Sequence, residues 1–399
     1  MIISPASRVA DVKEYYFSTK NTEIAAINAG RKAKGLEPVI SLGVGAPDRM
    51  PPASVIEELC RSAHDADAHK YQSYKGIPEL RKAFADWYAT WYGTTLDPAS
   101  QIQPLAGSKE GILITCLAFL DKGDKVLVPN PGYPTYSSAA KMVQAELVYY
   151  DLLPQNGYYP DFDALEKSDL SGVKMMWMNY PNMPTGTPAS MEVYRRAVEF
   201  GLKHRILICN DNPYSFVLND NPLSILSVPG AFDCCLELNS LSKAQNMSGW
   251  RVGMVASSAQ VITELLKVKS QMDSGMFRAV QLAAVKALEQ GKEWYDSLNA
   301  EYATRQKLAV RIMEMLGAEC RTGQGLFVWG RLDASNPIIA GYNTEKTLGE
   351  RMSDWMLYNK GVFITPGMVF GSNGNDYIRI SVCTDVPTLN KVIDLLKTR

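Results

Sequence analysis

Short apolar runs recur through the middle of this chain, separated by longer stretches at helical spacing. They are "KVLVP" at 125–129, "VKMMWMN" at 173–179, "RILICN" at 205–210, "CCLELN" at 234–239 and "VGMVAS" at 252–257. A strand that is apolar on both sides has to be covered on both faces, and the intervening helices are what cover it. The pattern therefore predicts an α/β fold built on a mostly parallel sheet, with flanking helices such as those expected over 135–145, 190–203 and 259–271. Each run is followed by Pro, Asn, Asp, Gly or Ser, the residues that turn a chain.

The last third has a different character. A helical stretch over about 281–316 is interrupted by Gly291. It is followed by "GLFVWGRL", a helix over 344–359, "GVFITPG", "YIRISV" and a closing helix over 387–397, which together read as a smaller α+β unit. A chain of 399 residues has room for two domains. We expect residues 1–47 to form an arm and part of the small domain, 48–285 the large domain, and 286–399 the small one.

Composition removes several classes of function. A net charge of −1 gives no basic field for nucleic acid or an anionic membrane. The longest apolar run, "GILITCLAFL" at 111–120, is far short of the ~20 residues a spanning helix needs. The first residues lack the pattern of a secretory signal, and the seven cysteines include no C-x-x-C, so a reducing cytoplasm is expected. The three histidines, His64, His69 and His204, have no metal-ligand spacing. If the chain is an enzyme, a group other than histidine moves its protons. A dinucleotide site is disfavoured as well, because "GVGAPD" has Asp48 where the third glycine of the fingerprint belongs.

Ligands of open parallel sheets bind outside the carboxyl ends of the strands. "RILICN" leads at once into Asp211 and then Tyr214, and "CCLELN" into Ser240, Ser242 and Lys243. "KVLVP" leads into "NPGYPTY" with Tyr133, and "KMMWMN" into "YPNMPTG". Each residue alone has an ordinary explanation, since most lysines are solvated heads and Asp-x-Pro is a common turn. Their joint placement puts a lysine, a carboxylate, two tyrosines and hydroxyls on one edge.

Over nearly its whole length the sequence resembles the fold-type I, pyridoxal-phosphate-dependent aminotransferases of class I/II. The resemblance is carried by "SLGVGAPD" at 41–48, "KYQSYKGIPELRKAFADWY" at 70–88, "GSKEG" at 107–111 and "PNPGYPTY" at 129–136. It continues through "NYPNMPTG" at 179–186, "DNPY" at 211–214, "SLSK" at 240–243, "GWRVG" at 249–253 and "YIRIS" at 377–381. The resemblance implies a seven-stranded, mostly parallel large-domain sheet and a homodimer with active sites at the subunit interface. It also implies pyridoxal 5'-phosphate as cofactor, and transfer of an amino group from an L-amino acid to a 2-oxo acid, with 2-oxoglutarate the expected acceptor. Lys243 would hold the cofactor aldehyde as a Schiff base and then act as general base. Asp211 would pair with the pyridine nitrogen, Tyr214 would donate to the phenolic oxygen, and Tyr133 would stack on the ring. Gly107, Ser108, Ser240 and Arg251 would take the phosphate, with Tyr71 reaching it from the other subunit. Arg379 would grip the substrate carboxylate, assisted by Gly45.

The sequence departs from the family where an asparagine usually stands before the proline of Asn-Pro-Thr-Gly; here that residue is Met183. A thioether is a weak acceptor and donates nothing. Either Asn182, one residue earlier, replaces it, or Tyr214 holds the phenolic oxygen alone. Lys109 is counted among the cofactor-binding residues and is similar to a lysine that serves the distal end of the substrate in diaminopimelate-type members. Arg278 lies in a region where members acting on dicarboxylic substrates present a cross-subunit arginine. A carbon–sulfur lyase on the same cofactor would need the same lysine and carboxylate and is the alternative activity.

Overall fold

The computed structural model describes residues 2–10 and 12–397. Its larger sheet has seven strands: β1 (Ile102–Leu105), β2 (Lys125–Asn130), β3 (Glu146–Asp151), β4 (Val173–Met178), β5 (Leu207–Asp211), β6 (Cys235–Ser240) and β7 (Gly253–Ser257). Their spatial order is β1-β7-β6-β5-β4-β2-β3. The pairs β2–β3, β2–β4, β4–β5 and β5–β6 are parallel. β7 runs against both β1 and β6. That reversal has a consequence for the site: the start of β7, just after Arg251, lies at the carboxyl edge, where Gly253 pairs with Ser240.

Two strands lack the continuous apolar signature. β1 reads "IQPL", and β3, at the far edge, reads "ELVYYD" with one face largely exposed. β3 needs no apolar cover on its exposed face, so its sequence carries a weaker signal, whereas β1 is buried throughout and its signal is broken by Gln103 and by Pro104, which an edge strand tolerates. The expected helices are present as Pro134–Met142, Met191–His204 and Ala259–Lys269. The long stretch expected over 281–316 is two helices, Arg278–Leu288 and Lys292–Met315, with Gly291 capping the second.

The helix Ser108–Phe119 lies directly on the sheet. A Cβ on Gly111 would come within 2.5 Å of Leu238 Cδ2, so a larger residue would have to push leucine side chains of the sheet aside. The helix start is thereby fixed beside the ends of β6 and β7.

A second, antiparallel sheet holds β8 (Glu319–Cys320), β9 (Phe327–Arg331), β10 (Thr365–Pro366) and β11 (Tyr377–Ser381), in the order β10-β11-β9-β8. Ile40–Ser41 pairs in parallel with Val362–Phe363, and the Ser381 N–H donates to the Leu42 carbonyl at 2.8 Å. These bonds stitch the N-terminal segment onto the smaller sheet and carry Gly43 and Gly45 toward Lys243. Among the described residues no helix is long and apolar enough to cross a membrane, and no group of side chains has the makings of a metal site. All seven cysteines are free.

Candidate active site

A cavity of about 500 Å³ opens at the carboxyl edge of the large sheet, between it and the smaller sheet. Lys243 stands on its wall, in the turn after β6, and its Nζ donates to the Gly45 carbonyl at 2.6 Å. Burial holds the lysine below its ordinary pKa; Arg379 and Arg251 push in the same direction, against the pull of Cys383 and Asp211. A less basic amine is neutral in a larger share of molecules, which is what a nucleophile requires.

Asp211, the last residue of β5, is buried in the same wall. Its Oδ2 accepts from the Tyr136 hydroxyl at 2.9 Å, whereas its Oδ1 is buried with no hydrogen-bond partner. An orphaned carboxylate oxygen lining a cavity is a vacant acceptor for a donor, preferably a cationic one. In the ligand-free chain, burial pushes this carboxyl up to about 7, against the Tyr136 hydrogen bond and the attraction of Lys243. That lies above the ~3.9 of an unfolded aspartate, so the folded chain holds the proton more tightly. The resulting stability is fully present below about pH 4 and is lost as pH rises through about 7. Denaturation of cofactor-free wild type and Asp211→Asn should show the wild type losing up to roughly 4 kcal/mol relative to the variant between about pH 4 and 8. A gap that does not change with pH would contradict this.

The rim nearest the start of helix Ser108–Phe119 is suited to an anion. No side chain caps this helix, so first-turn N–H groups remain available. Gly107, at φ 84°, passes so close to Arg251 that a Cβ there would lie 2.1 Å from Nη2. Arg251 donates to the Ser248 carbonyl at 2.9 Å and reaches the Ala106 carbonyl at 3.4 Å, so its guanidinium lies across the same turn. The Ser240 hydroxyl donates to Ser242 Oγ at 2.9 Å, and both serines line the cavity.

The opposite rim is a buried guanidinium. Arg379, on β11, donates to the Gly43 carbonyl at 2.6 Å and to the Met183 thioether at 3.2 Å, and its Nε is unpartnered. The rings of Phe327 and Phe370 lie 3.9 and 4.6 Å from its Cζ. Burial pushes it down to about 10. No carboxylate of the chain hydrogen-bonds or pairs with this cation among the described contacts, which leaves it open to a carboxylate that comes from outside. A Cβ on Gly45 would lie 2.2 Å from the Phe327 ring, so the chain passes close by here. Tyr214 and Tyr133 line the cavity between the two rims, and burial raises the Tyr214 phenol well above its usual range.

Not every sequence-predicted residue reaches the cavity. Asn182 does not: its Oδ1 accepts from Thr185 Oγ1 at 2.7 Å and its Nδ2 donates to the Asn179 carbonyl at 3.1 Å, so turn bonding consumes the side chain. Asn179 is on the wall instead, donating to the Asp211 carbonyl at 2.6 Å. Met183, a weak acceptor that cannot donate as the family's asparagine does, lines the cavity and accepts from Arg379. Tyr71 is 91% exposed and belongs to a separate surface cleft with residues 274–277. Arg278 lies 4.0 Å from Glu79 and outside the cavity lining. Lys109 is on the cavity wall with its Nζ 4.4 Å from the Tyr15 ring.

Tyr136, Tyr15 and Phe17 are wall residues not anticipated from sequence, as are Asn179, Phe327 and Phe370. Tyr136 buttresses Asp211 and stacks on Trp177 at 5.0 Å between centroids. Tyr15 and Phe17 come from the "EYYF" stretch near the N-terminus. Spacing offered a signal for Tyr136 alone, since it is three residues from Tyr133 at a helix start and so shares its face.

Amino-group chemistry through a carbonyl cofactor suits this cavity, which offers a weakly basic amine, a vacant acid oxygen, an anion-binding turn and an unpaired guanidinium. A sequence profile of aminotransferase class I and II matches residues 37–396. The chain belongs to that family, and its cofactor is pyridoxal 5'-phosphate. The LL-diaminopimelate aminotransferase of Dehalococcoides mccartyi is 37% identical over 391 residues, 97% of each chain. The enzyme of the same name from Nitratidesulfovibrio vulgaris is 37% identical over 392 residues, again 97% of each. Among solved structures, Apo-BacF from Bacillus subtilis matches with a TM-score of 0.91 at 31% identity, covering 100% of this chain and 98% of that one. Thermus thermophilus aspartate aminotransferase matches with a TM-score of 0.87 at 24% identity, a likeness of fold alone. The residues present fit the cofactor: the orphaned Asp211 oxygen suits a ring N–H, and the Gly107–Arg251 turn suits a phosphate.

Proposed function

We propose that this enzyme takes the amino group of an L-amino acid and passes it to 2-oxoglutarate by a ping-pong mechanism. The observation that carries the reading is the meeting of Lys243, the vacant Asp211 oxygen and the unpaired Arg379 guanidinium around one cavity. Bound pyridoxal 5'-phosphate would supply an aldehyde for the amino group and a ring that delocalises the electrons left when the α-proton departs. Lys243 Nζ would hold the cofactor through its aldehyde carbon, and the same amine stands to take the proton from the substrate Cα. Asp211 Oδ1 would accept the ring N–H and keep that nitrogen protonated. Tyr214 would donate its hydroxyl to the phenolic oxygen, and Tyr133 would cover one ring face.

The N–H groups of Gly107 and Ser108, the Ser240 hydroxyl and Arg251 would hold the phosphate, with Tyr71 supplied by a second copy of the chain. The high exposure of Tyr71 in the single chain supports that dimeric arrangement. The two separate sheets support a division into large and small domains. Arg379 and the Gly45 backbone hold the substrate carboxylate. Lys109, on the cavity wall, would serve the distal end of the substrate, and the names of the relatives make LL-diaminopimelate the first donor to try. Membership of the aminotransferase family favours transfer over carbon–sulfur lysis.

The experiment is a half-reaction: donors are mixed with purified protein in the absence of acceptor. A stoichiometric burst of 2-oxo acid, with loss of the visible cofactor band and its recovery on adding 2-oxoglutarate, supports the reading. Continuous release of pyruvate and ammonia would overturn it. Arg379→Ala should lower kcat/KM for every amino-acid donor by about 10²-fold or more, mainly through KM, because a charge-paired contact is lost. Steady-state kinetics over several donors checks this.

A further inference from the structure

The helix whose start receives the phosphate in the reading above carries an unfavourable charge. Glu110 is the third residue of Ser108–Phe119, in the turn where the N–H groups and the helix dipole favour an anionic ligand. Left alone, its carboxylate would repel that ligand. One oxygen, Oε2, accepts from the Ala106 N–H at 2.6 Å and so ties down the turn that contains Gly107. The other, Oε1, is 3.0 Å from the Nζ of Lys269. Lys269 ends the helix Ala259–Lys269, and its side chain is 1% exposed. Lysine is almost never buried so deeply without a partner. This one has two, since Asp273 also binds Nζ and in turn accepts from the Gly275 N–H at 3.1 Å.

We propose that Lys269 is a positioning residue for the cofactor phosphate: it neutralises Glu110 and locks its carboxylate onto the Ala106 N–H, so that the turn at 106–108 stays shaped and electrostatically open for a dianion. This rests on the assignment of the phosphate to that turn. Lys269 reaches the ligand only through Glu110. Its charge therefore acts on the phosphate and not on the aldehyde end of the cofactor, where Lys243 stands.

The test compares binding of pyridoxal 5'-phosphate and of pyridoxal, which lacks the phosphate, to full-length protein stripped of cofactor. Lys269→Met should weaken pyridoxal 5'-phosphate by roughly tenfold or more while leaving pyridoxal unchanged. Lys269→Arg should restore most of the difference. Lys269→Met with Glu110→Gln removes the repelling charge with its partner, so it should bind pyridoxal 5'-phosphate within about threefold of wild type. The double variant also keeps the test open if the single one does not fold. Equal loss of both ligands, or no loss of either, would show that Lys269 serves only to hold helices together. A wild-type chain with no preference for the phosphorylated ligand would instead remove the phosphate assignment itself.

Discussion

Lys243→Ala should abolish the visible band of bound cofactor and lower transamination by at least about 10⁴-fold, because covalent attachment and proton transfer are lost with one amine. The variant should still fold and still bind pyridoxal 5'-phosphate. The wall around it is built by β5, β6 and the segment held on the smaller sheet, none of which depends on the lysine side chain. The hydrogen bond of its Nζ ends on the Gly45 carbonyl, in a segment that the Ser381 N–H anchors independently at Leu42. Absorbance spectra and initial rates on the same preparation distinguish loss of chemistry from loss of fold. Retention of either the band or the activity would remove Lys243 from the mechanism.

Asp211→Asn should cost about 10²–10³-fold in kcat with a much smaller change in KM, in line with the loss of a preorganised charge at a developing transition state. Asparagine fills the same volume but lacks a negative charge, so it cannot keep a ring nitrogen protonated. Tyr136 makes the effect specific to Oδ1, since it already occupies Oδ2 from behind and leaves one oxygen for the ligand. Rates with a good and a poor donor separate this from a binding defect. A drop confined to KM would mean that Asp211 only holds the cofactor.

Much of this architecture is legible in the sequence because the local signal and the tertiary demand coincide. "RILICN" and "CCLELN" are apolar on both faces because they are central strands, and the polar residues that follow them fall at the sheet edge by construction. β3 is hard to read because its edge position relaxes that demand, and β1, though buried throughout, because Gln103 and Pro104 break its short apolar run. Asn182 and Asn179 show a different limit. Both are buried asparagines in one turn, and which of them faces the cavity is decided by which one Thr185 captures. The chemistry of Met183 says only that it cannot donate where the family's asparagine does. Its bond to Arg379 depends on β11 arriving from nearly two hundred residues away. Tyr15 and Phe17 are similar cases, brought to the wall by long-range packing that no local pattern records.

The most direct measurement is to reduce the cofactor-loaded protein with borohydride, digest it and map the modified peptide by mass spectrometry. The cavity geometry predicts a single site, at Lys243, that is lost when an amino donor is added first. Label on another lysine, or none at all, would contradict the assignment of this cavity to amino-group transfer.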